Sequence, residues 1–273
     1  MQVNDSFARR LRLRHLYRHD AAGLLVVPLD HAIGAGPLAA RLDLDSLVAE
    51  IADNGADAVV LHKGALRRVR ARRFQQMSLI LQLNAGTSLA PDPDAKYPVA
   101  TVAEALRLGA HAVSVHVNAA SLTEDRQVAH LASVAESCDR WGVPLLAMMY
   151  VRGPGPIDGS RVNGGRVDGS APGLVEHAVA IATELGADLV KTALPTSAPA
   201  TAGITASCPV PVLAAGGAVS DGPDVALARL AAAVRAGAGG IAAGRLVFTS
   251  DDPGSMVRRL TALVHGRTPV AAR

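Results

Sequence analysis

The feature that most constrains this chain is a series of eight short apolar runs with helical patterns between them. Each run is continuously apolar rather than alternating, which is typical of parallel strands buried on both faces. Strands that alternate with helices in this way form either a closed barrel or a doubly wound open sheet. The runs cover 23–31, 57–64, 78–84, 111–118, 144–150, 188–193, 211–217 and 239–245.

The number of runs and the length of the chain favour the barrel. The chain has 273 residues, and one-domain α/β barrels usually have about 250. A dinucleotide-binding sheet would carry G-x-G-x-x-G after its first strand, and this motif does not follow the first run. We therefore predict a single-domain (β/α)8 TIM barrel over 1–273, with an N-terminal extension over 1–22.

Four helical patterns end in one repeated phrase directly before an apolar run: NGAD at 54–57, LGAH at 108–111, LGAD at 185–188 and AGAG at 236–239. Gly just past a helix end adopts the left-handed conformation that closes the last turn. The repeat therefore predicts helix–strand units joined by the same turn. Helices are expected in LDSLVAEIADNGAD, TVAEALRLGAH, EDRQVAHLASVAESCDRWG, PGLVEHAVAIATELGAD and PDVALARLAAAVRAGAG.

Composition and the N-terminus exclude several classes of protein. The 27 basic and 24 acidic residues give a net charge of +3, so no strongly basic face for nucleic acid is expected. The first 20 residues are too charged for a signal sequence, and no apolar stretch reaches the roughly 20 residues that span a bilayer. Two isolated cysteines, Cys138 and Cys208, suggest free thiols and a reducing compartment. A cytoplasmic protein without nucleic-acid or membrane partners is predicted.

Lysine is scarce, and one lysine stands inside an apolar run. Three of the 27 basic residues are lysines: Lys63, Lys96 and Lys191. Lys191 lies in Asp-Leu-Val-Lys-Thr-Ala, where loss of hydration favours the neutral amine, a nucleophile for carbonyl carbon. The predicted chemistry is a Schiff base; the alternative is a structural salt bridge to Asp30 or Glu184.

The other two lysines differ in their surroundings. Lys63 ends the second run in His-Lys-Gly, and we interpret it as a phosphate or carboxylate ligand, or as a structural residue. Lys96 lies in the polar loop PDPDAKYP and is expected to be solvated.

Further polar residues end the other runs, where the barrel fold places its active face. Tyr150 closes the fifth run, next to the strand that carries Lys191, and its phenol can exchange protons with a substrate hydroxyl; a rim tyrosine bonded to backbone is the alternative. Asp30 follows the first run and is suited to orient hydroxyls, hold the lysine or assist proton transfer. His31 and His116 are packed residues or substrate ligands. No metal-binding spacing is present, so neither metal nor cofactor is predicted.

Glycines follow the seventh and eighth runs, the two strand ends that commonly bind phosphate in this fold. Gly216, Gly217 and Gly244 let backbone N–H groups approach a phosphate, and Arg245 adds a charged donor. The alternative is that these glycines only allow the helices to pack closely.

The stretch 152–173, rich in Gly, Pro and charge, follows the fifth run and is predicted to be a long loop at the active face, or else a solvated insertion. Its Arg152, Arg161 and Arg166 are candidates to bind a substrate carboxylate.

These motifs resemble one known family over about residues 5–266. PLDH, VLHKG, NAGTSLAPDP, VSVHVN, PLLAMMYVRG, GADLVKT, PVLAAGG and AAGRLVF are similar to the DhnA-type class I aldolases, in the branch of the 2-amino-3,7-dideoxy-hept-6-ulosonate synthases. The resemblance implies that Lys191 is the Schiff-base lysine, Tyr150 the acid/base and Asp30 a third active-site group. It also implies a phosphate site at Gly216, Gly217, Gly244 and Arg245.

The resemblance implies a reaction as well. A ketose phosphate, either dihydroxyacetone phosphate or a deoxyketohexose phosphate, would be joined to L-aspartate semialdehyde, giving a seven-carbon precursor of an aromatic compound. A fructose-bisphosphate aldolase is the alternative, although that group tends to carry Trp where this chain has Met148. A noncatalytic phosphosugar-binding protein is an alternative of another class. Family members often form homo-oligomers, which makes the arginine-rich N-terminal segment a candidate interface.

Overall fold

The eight apolar runs form a closed barrel of eight parallel strands, in a computed structural model that describes residues 6–17, 23–36, 43–154, 167–217 and 222–266. Each strand pairs with the next one along the chain, and the last pairs with the first. The strands are β1 (Leu24–Pro28), β2 (Ala58–Leu61), β3 (Ser78–Gln82), β4 (Ala112–Ala119), β5 (Leu145–Val151), β6 (Leu189–Thr192), β7 (Val212–Ala215) and β8 (Gly240–Ala242). The predicted fold is confirmed.

Helices surround the barrel, and all five predicted ones are present: α3 (Leu44–Asp53), α4 (Val102–Arg107), α5 (Glu124–Trp141), α6 (Pro172–Glu184) and α8 (Pro223–Arg235). Three longer helices were not predicted: α1 (Phe7–Leu16), α7 (Ala198–Ser207) and α10 (Pro253–His265). Short helices α2 (Ala32–Ala35) and α9 (Arg245–Phe248) follow β1 and β8, and two 3-10 helices, Lys63–Arg68 and Ala71–Phe74, connect β2 to β3. A two-stranded antiparallel ribbon, Asn84–Ala85 with Tyr97–Pro98, follows β3.

The repeated Gly phrase has a second purpose beyond closing the helices. Gly55 and Gly237 have φ of +94° and +105°, as the left-handed turn requires. The last residue of a phrase then reaches across to the preceding strand: Asp57 accepts a hydrogen bond from Leu25 N–H (2.6 Å), and Asp188 accepts one from Leu145 N–H (2.8 Å). These side chains therefore satisfy backbone donors at the N-terminal end of the barrel.

The N-terminal end of the barrel is closed by α1. Leu16, at the end of this helix, is fully buried and belongs to the apolar cluster inside the barrel, where a buried leucine side chain contributes about 1.5–3 kcal/mol. Arg9 of α1 is also buried, and its Nη1 lies 3.0 Å from Asp188 Oδ1. The predicted N-terminal extension thus includes a helix that seals one end of the core.

The inner face of the barrel changes character from one end to the other. Alternate residues of a strand share a face, and the apolar inner residues of β2, β4, β5 and β6 continue into polar ones toward the C-terminal end. Leu189 is followed by Lys191, and Leu146 and Met148 are followed by Tyr150. The apolar pattern that builds the core therefore also aims the polar side chains into the C-terminal mouth of the barrel.

Two other expectations bear on the described residues. Cys138 and Cys208 are both free, as predicted, and burial raises the pKa of the Cys138 thiol to about 12. Within the described ranges, no helix combines the length and apolarity that crossing a bilayer requires.

Candidate active site

Two adjoining cavities of about 260 and 410 Å³ open at the C-terminal mouth of the barrel. The smaller one is lined by histidines, amides and charged side chains, and we call it the polar cavity. The larger one is lined by Gly216, Gly217 and Gly244, and we call it the glycine cavity. Five residues line both cavities: His31, Tyr150, Arg152, Lys191 and Arg245.

Lys191 lies at the boundary between the cavities and is only 7% exposed. It is paired in register with Met148 of β5, and its Nζ lies 3.9 Å from Met148 Sδ. Among the described residues, Lys191 forms no ion pair, so the structural salt bridge to Asp30 or Glu184 is not present. A buried lysine that faces a cavity and lacks a carboxylate partner is an unusual arrangement for a purely structural residue.

Tyr150 ends the inner face of β5 beside Lys191, as the sequence predicted. Its ring lies 5.0 Å from the ring of His116, measured between centroids, and the guanidinium of Arg152 lies 4.5 Å from the Tyr150 ring centroid. The phenol is thus held between an imidazole and a cation, at the boundary of the two cavities.

Asp30 and His31 follow β1 and line the polar cavity. His31 Nδ1 lies 3.5 Å from Asp30 Oδ1. Burial lowers the pKa of His31, although the Asp30 carboxylate acts in the opposite direction. His62, at the end of β2, lines the same cavity, and burial lowers its pKa too. Both imidazoles are therefore biased toward the neutral form.

A chain of buried amides fixes the polar cavity. Asn84 Oδ1 accepts hydrogen bonds from Gln82 Nε2 and from His116 N–H, both 2.8 Å long, and Asn84 Nδ2 donates to His116 O. Ser114 Oγ donates to Gln82 Oε1. Buried amides that are fully bonded in this way specify one arrangement of the side chains. No local pattern in the sequence pointed to Gln82 or Ser114.

The same hydrogen-bond network indicates which nitrogen of the His116 ring carries the proton. Asn118 Nδ2 donates to Asp94 O (2.8 Å), so its Oδ1 faces His116 Nε2 at 2.9 Å, which assigns the imidazole proton to Nε2. Burial, with the charges of Lys96 and Arg152, lowers the pKa of His116 well below its ordinary value. His116 is therefore a neutral ring in the wall of the cavity.

Lys96 does not lie where the sequence predicted. The residue was expected to be solvated, but it is half-buried and lines the polar cavity. Its loop folds back over the strand ends because Asp94 O accepts hydrogen bonds from both Asn118 Nδ2 and Gln127 Nε2, the latter 3.0 Å long. These bonds join segments that are distant in sequence, which explains why the local pattern was misleading.

Lys63 requires the opposite correction. Its expected role as a phosphate or carboxylate ligand at the site is wrong, because Lys63 lines neither cavity and its Nζ forms an ion pair with Glu104 (3.1 Å). The residue begins the 3-10 helix after β2, which turns its exposed side chain away from the barrel mouth. Its structural interpretation is the one that fits.

The glycine cavity contains the predicted phosphate residues. Gly216 and Gly217 follow β7, Gly244 follows β8, and Arg245 begins α9. Two of the glycines are also required by packing: a Cβ on Gly216 would lie 2.8 Å from Ala243 Cβ, and one on Gly244 would overlap Pro28 O. The packing alternative and the ligand role are therefore compatible.

The described ends of the loop 152–173 also border this cavity. Val167 N–H donates to Gly153 O (3.1 Å), and Gly169 packs against Val151 O. Gly169 and Ser170 line the glycine cavity. Arg152 faces both cavities, whereas Arg161 and Arg166 lie outside the described residues.

An eight-stranded barrel with an unpaired lysine in its C-terminal mouth defines the class of protein, and the comparisons agree. Residues 24–250 match the family described as DeoC/LacD family aldolase. The chain belongs to this aldolase family. It is an enzyme of the class I type, in which a lysine forms a Schiff base with the substrate.

Similar proteins narrow the position within the family. A 2-amino-4,5-dihydroxy-6-oxo-7-(phosphonooxy)heptanoate synthase of Streptomyces griseus is 51% identical over 265 residues, covering 97% of this chain and 93% of that protein. A 2-amino-3,7-dideoxy-D-threo-hept-6-ulosonate synthase of Halobacterium salinarum is 39% identical, covering 89% of this chain and 86% of that protein. An archaeal fructose 1,6-bisphosphate aldolase of known structure superposes with a TM-score of 0.83 at 28% identity, covering 95% of this chain and 100% of that one.

Proposed function

We propose that this enzyme adds dihydroxyacetone phosphate to L-aspartate semialdehyde. The observation that carries the proposal is the order of groups along the two cavities: the glycines line only one, Lys191, Arg152 and Arg245 line both, and Lys96 lines only the other. The product named for the Streptomyces griseus relative has its groups in the same order, with a phosphate on C7, a ketone at C6 and a carboxylate at C1. Dividing that chain between C4 and C5 gives these two reactants.

The chemistry proposed for Lys191 is imine formation. Its amine nitrogen adds to the C2 carbonyl of dihydroxyacetone phosphate, and loss of water gives an iminium. Removal of a proton from C3 then gives an enamine, whose C3 attacks the aldehyde carbon of the acceptor. The new alkoxide takes up a proton, and hydrolysis of the iminium releases the product and restores the amine. The overall reaction is an addition, so no other reactant is needed.

Tyr150 is the proposed proton carrier. It lies at the boundary of the cavities, beside the strand position of Lys191. A phenol in this place reaches protons on both sides of the imine, and general acid–base catalysis of this kind contributes about 10²–10⁴-fold to the rate. The neutral His116 against its ring is proposed to hold the phenol in position and to contact substrate.

Asp30 and His31 are proposed to contact the donor near the imine. Asp30 lines the polar cavity and pairs with His31, which lines both cavities. The carboxylate is suited to accept hydrogen bonds from substrate hydroxyls and to balance the iminium charge. His31, biased toward the neutral form, is suited to donate or accept a hydrogen bond there.

The phosphate of the donor is proposed to bind in the glycine cavity. Gly216, Gly217 and Gly244 lack a Cβ, so a phosphate can approach the backbone N–H groups near them. Arg245 offers a charged donor. When its phosphate is bound there, the donor directs its C2 carbonyl toward Lys191. A deoxyketohexose phosphate donor would place its phosphate in the same cavity.

The test is to identify the product by mass. Incubation with dihydroxyacetone phosphate and L-aspartate semialdehyde is expected to give one compound whose mass is the sum of the two. A deoxyketohexose phosphate donor and cleavage of fructose 1,6-bisphosphate are measured in parallel. Faster cleavage of the bisphosphate, with no product from the semialdehyde, would replace the proposal by the fructose-bisphosphate aldolase alternative. Binding without any turnover would favour the noncatalytic alternative.

We also propose a homo-oligomer located in the cytoplasm, making a precursor of an aromatic compound. Exposed apolar side chains support an interface at the N-terminal end of the barrel: Phe7 is 72% exposed and Trp141, at the end of α5, is 52% exposed. Arg12 joins the two helices by donating to Gly142 O (2.9 Å). Light scattering of the native chain and of a Phe7→Ser variant tests this interface, and an unchanged mass would exclude it.

A further inference from the structure

Besides Lys191 and Arg245, which line both cavities, the polar cavity is lined by two further cationic residues, Lys96 and Arg152. Neither Lys96 nor Arg152 forms an ion pair with any part of the chain that the structure describes, although both line the cavity. Arg152 instead lies over the ring of Tyr150. Lys96 is half-buried and Arg152 is exposed, whereas buried Arg9, at the other end of the barrel, is paired with Asp188. Two cations without carboxylate partners in one cavity favour the binding of an anion.

Contacts with other segments hold the backbone around Lys96 in position. Asp94, two residues earlier, is bonded through its carbonyl to Asn118 and Gln127. Tyr97, the next residue, pairs with Ala85 in the antiparallel ribbon. On the other side, Gly86 leaves room for the loop, because a Cβ there would overlap Ala95 O and lie 2.9 Å from Lys96 Nζ. The backbone of the lysine is therefore fixed on both sides.

The electrostatics of the cavity agree with this arrangement. Burial and the charge of Arg152 lower the pKa of Lys96, whereas Asp94, Asp30 and Asp92 oppose the shift without forming an ion pair with it. The charge of Lys96 also contributes to the low pKa of His116, whose ring contacts Tyr150. Lys96 thus acts on the same part of the cavity as the proposed proton carrier, and an anion bound there would be stabilised by both cations.

The location of Lys96 and Arg152 indicates which anion would bind to them. The phosphate of the donor is proposed for the glycine cavity, so the polar cavity receives the acceptor. The carboxylate of an amino-acid semialdehyde lies three bonds from the carbon that forms the new bond, which keeps it close to Lys191 and Tyr150. We propose that Lys96, together with Arg152, binds the carboxylate of the acceptor aldehyde and so selects an acidic acceptor over a neutral one. This inference rests on the proposed function.

The experiment compares Lys96→Met with Lys63→Met. Both variants remove one ammonium, but Lys63 lines neither cavity and is paired with Glu104. Kinetics are measured with dihydroxyacetone phosphate and three acceptors: L-aspartate semialdehyde, the neutral butanal, and glyceraldehyde 3-phosphate. Borohydride trapping with the donor alone reports whether the imine still forms.

We expect Lys96→Met to raise KM for the semialdehyde by about 10–100-fold, the effect of losing one hydrogen bond to a charged group. Turnover of butanal, imine trapping and the Lys63→Met variant should stay within about twofold of wild type. Lys96→Arg keeps the charge and is expected to recover a large part of the affinity. Lys96→Gln, which keeps a polar donor, serves as a second test if the methionine variant does not fold.

Three results would overturn the inference. One is an unchanged KM for the semialdehyde in Lys96→Met and Lys96→Gln. Another is an equal loss with butanal, which would indicate a structural role. A third is a wild-type enzyme that prefers glyceraldehyde 3-phosphate and loses that preference in Lys96→Met, which would assign the cations to a second phosphate. Failure of the wild-type enzyme to use the semialdehyde at all, despite a trapped imine, would instead contradict the proposed function.

Discussion

The two ends of this barrel differ in whether their buried ionisable side chains have partners. At the N-terminal end, Asp188 is bonded to Arg9 and to the Leu145 N–H, and Asp57 is bonded to the Leu25 N–H. At the C-terminal end, Lys191 is almost fully buried and has no carboxylate partner among the described residues. Buried charges cost free energy unless they are paired. The N-terminal end therefore stabilises the fold, whereas the C-terminal end leaves a basic side chain available for a substrate.

This comparison predicts that substitutions at the two ends have separate consequences. Changes in the barrel mouth should remove activity and leave stability unchanged or higher, because strained or unpaired groups there do not support the fold. Changes at the N-terminal end should lower stability and leave the activity of the folded fraction intact. The four predictions below follow this division.

The largest effect is expected for Lys191→Met. The variant lacks the amine that forms the imine, so kcat should fall by about 10⁴-fold or more. Its thermal midpoint should equal or exceed that of wild type, since a buried polar side chain without a carboxylate partner is replaced by an apolar one. Steady-state kinetics and calorimetry measure the two quantities, and normal turnover would contradict the assignment of Lys191.

Tyr150→Phe should reduce kcat by about 10²–10⁴-fold, the usual contribution of a positioned proton carrier. The phenol is lost but the ring remains between His116 and Arg152. The imine with the donor should still be trapped, at a lower rate. Full activity of this variant would leave Tyr150 as a packed rim residue.

At the opposite end, Arg9→Met should lower the free energy of unfolding by about 3–5 kcal/mol, because Asp188 is left buried without its cation. Both side chains are less than 10% exposed. The matched control is Arg140→Met, which removes an exposed pair with Glu136 and should cost less than about 1 kcal/mol. Denaturant unfolding provides both values. Equal losses would show that burial of the pair is unimportant.

The smallest effect concerns pH. Burial, with the charges of His15 and Arg12, lowers the pKa of His111 from 6.5 to about 4, and its Nδ1 accepts a hydrogen bond from Leu79 N–H. The unfolded chain binds this proton at a higher pH than the folded one, so stability should fall as pH drops from 6.5 toward 4. His111→Asn should flatten this dependence relative to wild type. Identical pH profiles for the variant and wild type would contradict the shift.

Much of the fold could be predicted because its signals are local. The eight strands are continuous apolar runs, and the Gly phrases end helices at α3, α4, α6 and α8. Helix α7 escaped prediction because its small residues, APATAGITAS, present no clear apolar stripe. Helix α1 was treated as part of an extension, since its arginines obscured the fact that Arg9 and Leu16 are buried.

The candidate site could be predicted only in part. Lys191 and Tyr150 lie near the C-terminal ends of their strands and the glycines follow theirs, so the barrel brings all of them to one end whatever their neighbours are. Lys96 was assigned wrongly, and the sequence left Lys63 open as a ligand or a structural residue, because the position of a loop residue depends on bonds across the chain. Asp94 O is bonded to Asn118 and Gln127, which turns Lys96 inward, and no local pattern encodes those bonds.

Lys191, and not Lys63 or Lys96, is the lysine that we propose forms the imine. The most direct test is to treat the enzyme with dihydroxyacetone phosphate and borohydride, digest it, and locate the added mass among the three lysines of the chain. We expect a single adduct on Lys191, in the wild-type enzyme and in Lys96→Met alike. An adduct on Lys96 or Lys63, or an unmodified chain under conditions of full turnover, would contradict it.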